Sequence, residues 1–326
     1  MSNPQQAHPQ YPIGWLGQPW GPAERAMWLS QQQIKRSYPQ LVVEPLQAIM
    51  ADPALAQVEC FCYGELDHSQ FGLPRYPVYA VRSRDWQVQA PLVLVTGGVH
   101  GYETSGVQGA LQFIEQQLPQ YLQRFAGKVN FLVLPCISPW GFETINRWNP
   151  AAIDPNRSFK ADSDAIEALL AYQCVQEHVA KSQSVLLHID LHETTDSDNS
   201  EFRPAKAARD GGLNHNWNIP DGFYLVGDSE RPAAEFQRVI IEAVAKVTHI
   251  APADEDGCLI GEKLEQFGVV NYPKRSLFLC GGMTDATYVT TTEVYPDSPR
   301  TNPSECNAAQ VAAVVAAIDY AVQHIG

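Results

Sequence analysis

Residues 95–106 read VTGGVHGYETSG and place a histidine and a glutamate three residues apart among glycines. The apolar run PLVLV at residues 91–95 leads into this stretch, and a helical pattern follows it. A strand that passes directly into a helix is the repeating unit of α/β proteins. In open α/β sheets, ligands bind beyond the carboxyl ends of the strands, where several loops meet. The stretch therefore predicts an α/β fold with His100 and Glu103 at its binding edge.

The rest of the chain repeats this alternation from about residue 56 onward. Strand patterns cover residues 56–66, 76–83, 129–135, 184–192 and 286–296, and helical patterns cover residues 104–126, 164–182, 231–247 and 304–325. Such alternation favours a mixed, mostly parallel twisted sheet with helices on both faces. We expect residues 1–55, with a helical pattern at residues 21–38, to form an N-terminal extension packed on a catalytic domain of residues 56–326.

Composition argues against several classes of protein. The chain is 45% hydrophobic and 18% charged, which is typical of soluble globular proteins. No apolar run approaches the ~20 residues that span a bilayer. The net charge of −14 disfavours nucleic acid and anionic membrane surfaces as partners, so we expect small-molecule substrates. The polar start at residues 1–14 does not resemble a secretory signal, and seven cysteines, an odd number, favour reduced thiols. We therefore expect a cytoplasmic location.

The pair His100 and Glu103 suits a zinc ion, because an imidazole and a carboxylate that leave one turn can both reach the metal at ~2.0–2.2 Å. A catalytic zinc normally has three protein ligands and an open fourth position for water. The strand-end segment LLHIDLH, residues 186–192, offers His188 or His192 as the third ligand, since both point to one face. His192 lies nearer the strand end. We predict one Zn²⁺ per chain, held by His100, Glu103 and one of these two histidines.

A second metal is the less favoured alternative. Its ligands would come from the acidic stretch around the same strand end, namely His188, Asp190, Glu193, Asp196 and Asp198. Acidic runs of this kind are more often solvated loops, so a two-metal site is not the preferred prediction.

Further motifs follow in the order found in the M14 family of zinc carboxypeptidases, which the sequence resembles over residues 57–325. That family carries H-x-x-E, then R-x-N-x-N-G-V-D-L-N-R-N-F, then a strand-end histidine, then a strand with a catalytic glutamate. Residues 147–159, RWNPAAIDPNRSF, keep the ten-residue step from Arg147 to Arg157. Residues 280–296, CGGMTDATYVTTTEVYP, resemble the family's Gly-Gly turn and final strand. One departure is Asp154-Pro155 where the family has Asp-Leu.

The resemblance implies a role for each matched position. It implies that the zinc ligands are His100, Glu103 and His192, that the oxyanion-stabilising residue is Arg147, that the clamp on a free carboxylate is Asn156 with Arg157, and that the general base is Glu293. Each role has a physical basis. Zinc acidifies a bound water and polarises a carbonyl, a carboxylate base accepts the water's proton, and arginine offers two parallel donors to a carboxylate.

Specificity is less defined by the sequence. The family's mobile tyrosine has no counterpart at the expected position, and Tyr272 or Tyr288 are the candidates to replace it. Thr284 and Asp285 follow the Gly-Gly turn near where the family sets its specificity pocket. An acid at that place would favour release of a basic residue.

The implied function is that of a zinc metallocarboxypeptidase, a hydrolase that releases a C-terminal residue from short peptides. The segment IDLHETTDSD, residues 189–198, also resembles the aspartoacylase and succinylglutamate desuccinylase branch, which removes an acyl group from an N-acyl amino acid. Aspartoacylase continues into a further β-domain, whereas 33 residues follow Glu293 here, which favours the peptidase. A third interpretation is a non-catalytic carboxylate-binding protein on the same fold. Glu293 argues against it, because a binding protein needs no general base.

Overall fold

The computed structural model of the protein describes residues 11–325, and a twisted sheet forms its centre. Residues 1–10, the start of the predicted N-terminal extension, and residue 326 lie outside the described residues. The strands are β1 (Val58–Asp67), β2 (Arg75–Ser83), β3 (Leu92–Gly97), β4 (Asn130–Leu134), β5 (Val185–Glu193), β6 (Tyr224–Asp228), β7 (Cys258–Leu259), β8 (Glu262–Lys263), β9 (Val269–Tyr272) and β10 (Tyr288–Val294).

The main sheet has eight strands in the order β1-β2-β4-β3-β5-β10-β6-β9. Its central strands are parallel, since β3 pairs with β4 and β5, and β10 pairs with β5. At one edge, β6 and β9 also form a parallel pair. Antiparallel pairs join β1 to β2, β2 to β4 and β10 to β6, and β7 with β8 forms a separate small hairpin. The predicted mixed, mostly parallel sheet is confirmed.

Helices cover both faces of the sheet. They are α1 (Pro22–Ser30), α2 (Glu44–Met50), α3 (Thr104–Gln116), α4 (Leu118–Arg124), α5 (Pro139–Thr144), α6 (Ile166–Val179), α7 (Arg203–Asp210), α8 (Ala234–Val244) and α9 (Pro303–Gln323). Val93 and Val95 of β3 belong to the core that includes α3, α8 and α9, whereas Leu92 and Leu94 pack in the core that includes α6. Successive strand residues point to opposite faces, so one apolar strand serves both layers. Within residues 11–325, none of the helices combines the length and the apolar character that a bilayer crossing requires.

Several element boundaries differ from the sequence-based prediction. The helix predicted over residues 21–38 ends at Ser30, and the helix predicted over residues 104–126 divides into α3 and α4 at Gln117. Pro119, which has no backbone N–H to continue the first helix, lies just after that division. Strands β6 and β9 were not predicted, because segments of five and four residues are too short to show a clear alternation.

The segment before β1 packs against the rest of the core and also supports a turn of the predicted site. Trp28 lies 6.1 Å from Trp140 and 5.5 Å from Trp148, measured between ring centroids. The guanidinium of Arg36 donates hydrogen bonds to the carbonyl oxygens of Gly101 (2.8 Å) and Phe142 (2.6 Å). The division of the chain at residue 55 stays a prediction.

Candidate active site

The sheet order brings the predicted site residues together at one edge. Strand β5 lies between β3 and β10, and all three run parallel. His100 follows the end of β3 by three residues, and His192 lies near the end of β5. Glu293 of β10 stands directly opposite His192 in the strand register. Residues almost 200 positions apart in the chain thus meet at neighbouring carboxyl ends.

The glycines around His100 allow the tight turn that the opening stretch requires. Gly98 has a φ of +62°, a left-handed conformation that side chains with a Cβ rarely adopt. At Gly101, a Cβ would lie 2.0 Å from the backbone nitrogen of Phe142 in α5, so any side chain there would displace the turn. The backbone packing on α5, together with the hydrogen bond from Arg36, holds the turn that carries His100 and Glu103.

His100, Glu103 and His192 form a compact, buried group. One ligand atom from each of the three lies within 4.8 Å of the others. Nδ1 of His100 lies 2.7 Å from Oε1 of Glu103, and Nδ1 of His192 lies 2.7 Å from Oε2 of the same carboxylate. Burial would raise the pKa of Glu103, but His192 and His100 outweigh it and lower that pKa to about 2. The carboxylate is therefore ionised and available as a ligand.

The other nitrogen of each imidazole is held by a second carboxylate. Nε2 of His100 lies 3.0 Å from Oδ1 of Asp154, and Nε2 of His192 lies 2.8 Å from Oδ2 of Asp190. A carboxylate that accepts a hydrogen bond from one ring nitrogen fixes the tautomer and leaves the other nitrogen's lone pair for a metal. The donor set and its outer carboxylates fit a zinc ion.

Glu293 lies beside this group and is anchored by hydroxyl groups. Thr194 Oγ1 donates a hydrogen bond of 2.9 Å to Oε2 of Glu293, and this leaves Tyr224 as the donor in the 2.7 Å contact between its hydroxyl and Thr194. The pKa of Glu293 is raised to about 7, mainly because the group is buried. The neighbouring His192 acts to lower this pKa, and the neighbouring Glu103 acts to raise it. A carboxyl group with this pKa can accept and return a proton near neutral pH.

The two arginines that the family resemblance assigns to the site, Arg147 and Arg157, differ in their environments. Arg147 is only 21% exposed, and its guanidinium contacts Oδ2 of Asp154 at 3.2 Å and Oδ1 of Asp198 at 3.4 Å. Arg157 is exposed, and its Nη1 donates a 2.6 Å hydrogen bond to the carbonyl oxygen of Asn156. Arg147 is thus fixed by two acids, whereas Arg157 keeps donors for an incoming anion.

A cavity of about 240 Å³ joins these groups. Six of the seven predicted site residues line it, namely His100, Glu103, Arg147, Asn156, Arg157 and Glu293. The seventh, His192, does not line the cavity. It contacts Glu103, and its Nε2 lies 3.4 Å from Nδ2 of Asn156. The structure therefore places the predicted residues in one site, in which His192 contacts two of the residues that line the cavity.

Comparisons with known proteins agree with this geometry. Residues 89–211 match the sequence model of the succinylglutamate desuccinylase/aspartoacylase catalytic domain. A crystal structure of a protein from Shewanella amazonensis, provisionally named a metallopeptidase, aligns with a TM-score of 0.61 and 18% identity, covering 89% of this chain and 98% of that one. The metallo-carboxypeptidase from Burkholderia cenocepacia aligns with a TM-score of 0.56 and 15% identity, covering 94% of this chain and 70% of that one. The chain has the metallocarboxypeptidase-like fold, and its residues 89–211 are similar to the succinylglutamate desuccinylase/aspartoacylase catalytic domain.

A further similar structure is that of the metallo-carboxypeptidase from Pseudomonas aeruginosa in complex with (2-guanidinoethylmercapto)succinic acid. It aligns with a TM-score of 0.53 and 16% identity, covering 93% of this chain and 70% of that one. No curated protein sequence matches the chain significantly. At these identities the structural likeness establishes the metallocarboxypeptidase-like fold, and the activity has to be argued from the site.

Two expectations about specificity have different outcomes in the structure. Tyr272 lines the cavity, whereas Tyr288 packs against Phe236 with 5.1 Å between ring centroids. The expectation that Thr284 and Asp285 lie at the specificity pocket is wrong, because neither lines the cavity. The side chain of Asp285 is 81% exposed and forms an ion pair with Arg275.

Sequence reasoning missed several basic residues of the cavity. Lys206 and Lys274 line it, and so does Arg203, which had no assigned role. Lys274 follows the end of β9 by two residues. The apolar GVVNY stretch at residues 268–272 was the available signal, since recognising it as a strand would have placed Lys274 at a strand's carboxyl end.

The candidates for a second metal are engaged in hydrogen bonds. Both carboxylate oxygens of Glu193 accept bonds from the first turn of α3, at 3.0 Å from the nitrogen of Thr104 and 2.6 Å from that of Ser105. Asp198 accepts a bond of 2.9 Å from the nitrogen of Thr195. Nε2 of His188 contacts Thr96 Oγ1 at 3.0 Å. These contacts give the acidic and imidazole groups structural roles around the proposed zinc site.

Proposed function

We propose that the protein is a zinc-dependent hydrolase of an amide bond next to a free carboxylate, and that it releases the C-terminal residue of short peptides. The observation that carries the proposal is the meeting of Glu293 with the His100–Glu103–His192 group at one cavity that Arg157 also lines. Such a hydrolysis needs a metal site, a carboxyl group with a raised pKa and an arginine that can bind an anion. Arg157 forms no salt bridge with an acid within residues 11–325.

The zinc would be held by Nδ1 of His100, Nδ1 of His192 and the carboxylate of Glu103. When bound, zinc lowers the pKa of a water ligand and polarises the substrate carbonyl. Asp154 and Asp190 orient the two imidazoles through their Nε2 atoms. Glu293 takes the proton from the attacking water and returns it to the leaving nitrogen. Thr194 holds that carboxyl group in place.

Arg147 and Arg157 each interact with a different negatively charged group of the substrate. Arg147, fixed by Asp154 and Asp198, stabilises the oxygen anion that develops on the cleaved carbonyl, because a preorganised cation lowers that barrier. Arg157 binds the free α-carboxylate. Among residues 11–325, no carboxylate forms a salt bridge with Arg157, so its donors remain available to the substrate.

Amidation of the substrate's terminal carboxylate tests this clamp. We expect a blocked dipeptide to lose about 10²-fold or more in kcat/KM when its carboxylate becomes a carboxamide, because the guanidinium of Arg157 then has no anion to bind. Steady-state assays of the acid and the amide on the same preparation give the ratio. Arg157→Gln should reduce the same ratio toward one, whereas equal cleavage of acid and amide by the wild type would remove Arg157 from carboxylate binding.

A second candidate function is removal of an acyl group from an N-acyl amino acid. The match of residues 89–211 to the succinylglutamate desuccinylase/aspartoacylase catalytic domain favours it, as does the presence of Arg203 in the cavity. Arg203 is the group that would bind an acid on the acyl side. Its Nη1 is already held by Oδ1 of Asn199 at 2.7 Å and by the carbonyl of Asn218 at 3.0 Å, which favours the peptidase as the first candidate.

The two candidates differ in the group on the other side of the scissile bond. We expect blocked di- and tripeptides to be hydrolysed faster than N-acetylaspartate or N-succinylglutamate in kcat/KM assays on the zinc-loaded protein. The opposite order by tenfold, which is ~1.4 kcal/mol of transition-state binding, would overturn the peptidase proposal in favour of the deacylase. Hydrolysis of neither class would overturn both.

A further inference from the structure

Arg147 lies in a segment whose backbone is strained on both sides of it. Ile145 has a φ of +54° and Ala152 has a φ of +57°, and both are left-handed conformations that residues with a Cβ rarely adopt. Ile145 is 39% exposed, so burial of its own side chain does little to offset the strain. Backbone of this kind persists only where the surrounding contacts fix it. The contacts around residues 145–152 therefore decide where Arg147 lies.

Asn146, the residue before Arg147, is held by the N-terminal part of the chain. Its Nδ2 donates a hydrogen bond of 2.8 Å to Oε1 of Gln32, whose own Nε2 donates one of 2.8 Å to the carbonyl oxygen of Trp28. Oδ1 of Asn146 accepts a bond of 3.1 Å from the backbone nitrogen of Trp148. Gln32 thus fixes the side-chain amide that links the two neighbours of Arg147.

Trp148, the residue after Arg147, is enclosed by aromatic rings from the same N-terminal part. Its ring lies 6.0 Å from that of Trp20 and 5.5 Å from that of Trp28, measured between centroids, and the residue is 2% exposed. Aromatic pairs at such separations add to the stabilisation that burial provides. Residues 20–32 therefore hold Arg147 through its neighbour on either side.

The far end of the strained segment has a related support. Arg25 of α1 donates a hydrogen bond of 2.7 Å to the carbonyl oxygen of Ala151. Arg209 of α7 donates one of 2.9 Å to the carbonyl oxygen of Ala152, and its own carbonyl oxygen accepts a bond of 2.9 Å from the backbone nitrogen of Trp20. The segment before β1 and α7 thus support residues 145–152 together.

The side-chain contacts of Arg147 are too long to replace this backbone support. Its guanidinium donates hydrogen bonds to Asp154, Tyr102 and Asp198 at 3.2, 3.3 and 3.4 Å. Strong charge-assisted bonds measure about 2.7–2.9 Å. A displacement of about 1 Å in an active site can lower a rate by about 10²-fold. The position of the guanidinium therefore depends on how firmly its backbone is held.

We infer that residues 20–32 are a positioning element of the active site, which holds Arg147 where it stabilises the developing oxygen anion. The inference rests on the proposed hydrolysis and on the role of Arg147 in it. Gln32 and Arg25 are positioning residues, since they act through the backbone of residues 145–152. The segment before β1 thereby has a role in the reaction.

Gln32→Met removes the acceptor for Asn146 Nδ2 and keeps most of the side-chain length. We expect kcat on a blocked dipeptide to fall about tenfold, with KM within about twofold of the wild type and an unchanged zinc content, because Arg147 acts on the transition state. Arg25→Met, which removes the bond to Ala151, is a second variant with the same expected result. Gln33→Met is the matched control at an exposed position and should keep the wild-type kcat. A wild-type kcat in both folded variants, or an equal loss in Gln33→Met, overturns the inference.

A double-mutant cycle with Arg147→Lys shows whether the effect passes through Arg147. Arg147→Lys alone should lower kcat by about 10²-fold, because lysine does not reproduce the planar guanidinium. In that background, Gln32→Met should change kcat by less than about twofold, since the group that it positions is already lost. A further tenfold loss in the double variant would show a general structural defect and would contradict the inference.

Hydrogen exchange separates this inference from the proposed function. The amides of residues 145–152 should exchange about fivefold or more faster in zinc-loaded Gln32→Met than in the wild type or Gln33→Met, measured by mass spectrometry. If that result is obtained and no substrate is hydrolysed, the positioning of Arg147 stands and the proposed function fails. If peptides are hydrolysed and Gln32→Met has the wild-type kcat and exchange, the inference fails and the proposed function stands.

Discussion

Replacing Glu293 by glutamine is expected to lower kcat by about 10²–10⁴-fold while zinc content and substrate affinity stay near those of the wild type. The amide has nearly the same size and can still accept a hydrogen bond from Thr194, which contacts Glu293 at 2.9 Å in the native protein. It cannot take a proton from the attacking water. Single-turnover kinetics with a blocked peptide, together with metal analysis of the same sample, measure both quantities.

The control for this variant is Glu115→Gln, which makes the same chemical change at an exposed position of α3. It should leave kcat within about twofold of the wild type, as is usual for surface substitutions. A near-normal kcat for Glu293→Gln would remove Glu293 from the mechanism. Loss of zinc in that variant would instead show that the carboxylate supports the metal site.

The second large effect is expected at the metal ligands. The wild type should retain about one zinc per chain after dialysis, and His192→Ala should lose it, because two remaining ligands do not hold a catalytic zinc tightly. Elemental analysis of the dialysed, folded protein gives the ratio, with circular dichroism to confirm folding. His100→Ala should behave in the same way, since its Nδ1 faces the same Glu103 carboxylate.

His188→Ala is the matched control, because His188 lies on the same strand and the same face as His192. Its Nε2 contacts Thr96 Oγ1 at 3.0 Å, and it is outside the group of converging ligand atoms. We expect this variant to keep its zinc even if it loses some stability from the change in a fully buried residue. Full zinc in His192→Ala together with loss in His188→Ala would refute the ligand assignment.

Local sequence patterns were sufficient for much of the architecture. The apolar alternation before His100 and before His192 predicted β3 and β5, since side chains in a strand follow a two-residue period that is visible in the sequence itself. The resemblance to the M14 family, which the spacing from Arg147 to Arg157 carries, implied the two arginines of the site. The glycines among residues 97–101 marked the passage from strand to helix, and the position of Gly101 against Phe142 explains why this turn has no room for a side chain there.

The residues of β5 alone did not distinguish His188 from His192, and only the tertiary structure shows that His192 converges with His100 and Glu103. Both lie on one face of β5, so alternation alone allows either as a ligand. The register of β5 against β10 places His192 opposite Glu293, and the turn after β3 directs Glu103 toward the same point. These contacts join segments that are distant in the chain, so a local sequence pattern cannot predict them.

The set of residues that line the cavity also depended on long-range packing. Lys274 stands in an unremarkable segment after a four-residue strand, and nothing in its neighbours along the chain marks it as buried. Strand β9 lies at the edge of the sheet beyond β6, and the Gly281-Gly282 turn leaves the space that Lys274 fills. Strand periodicity and motif spacing are short-range properties that a single sequence displays. The sum of charges around a cavity depends on which strands become neighbours, and only the folded chain establishes that.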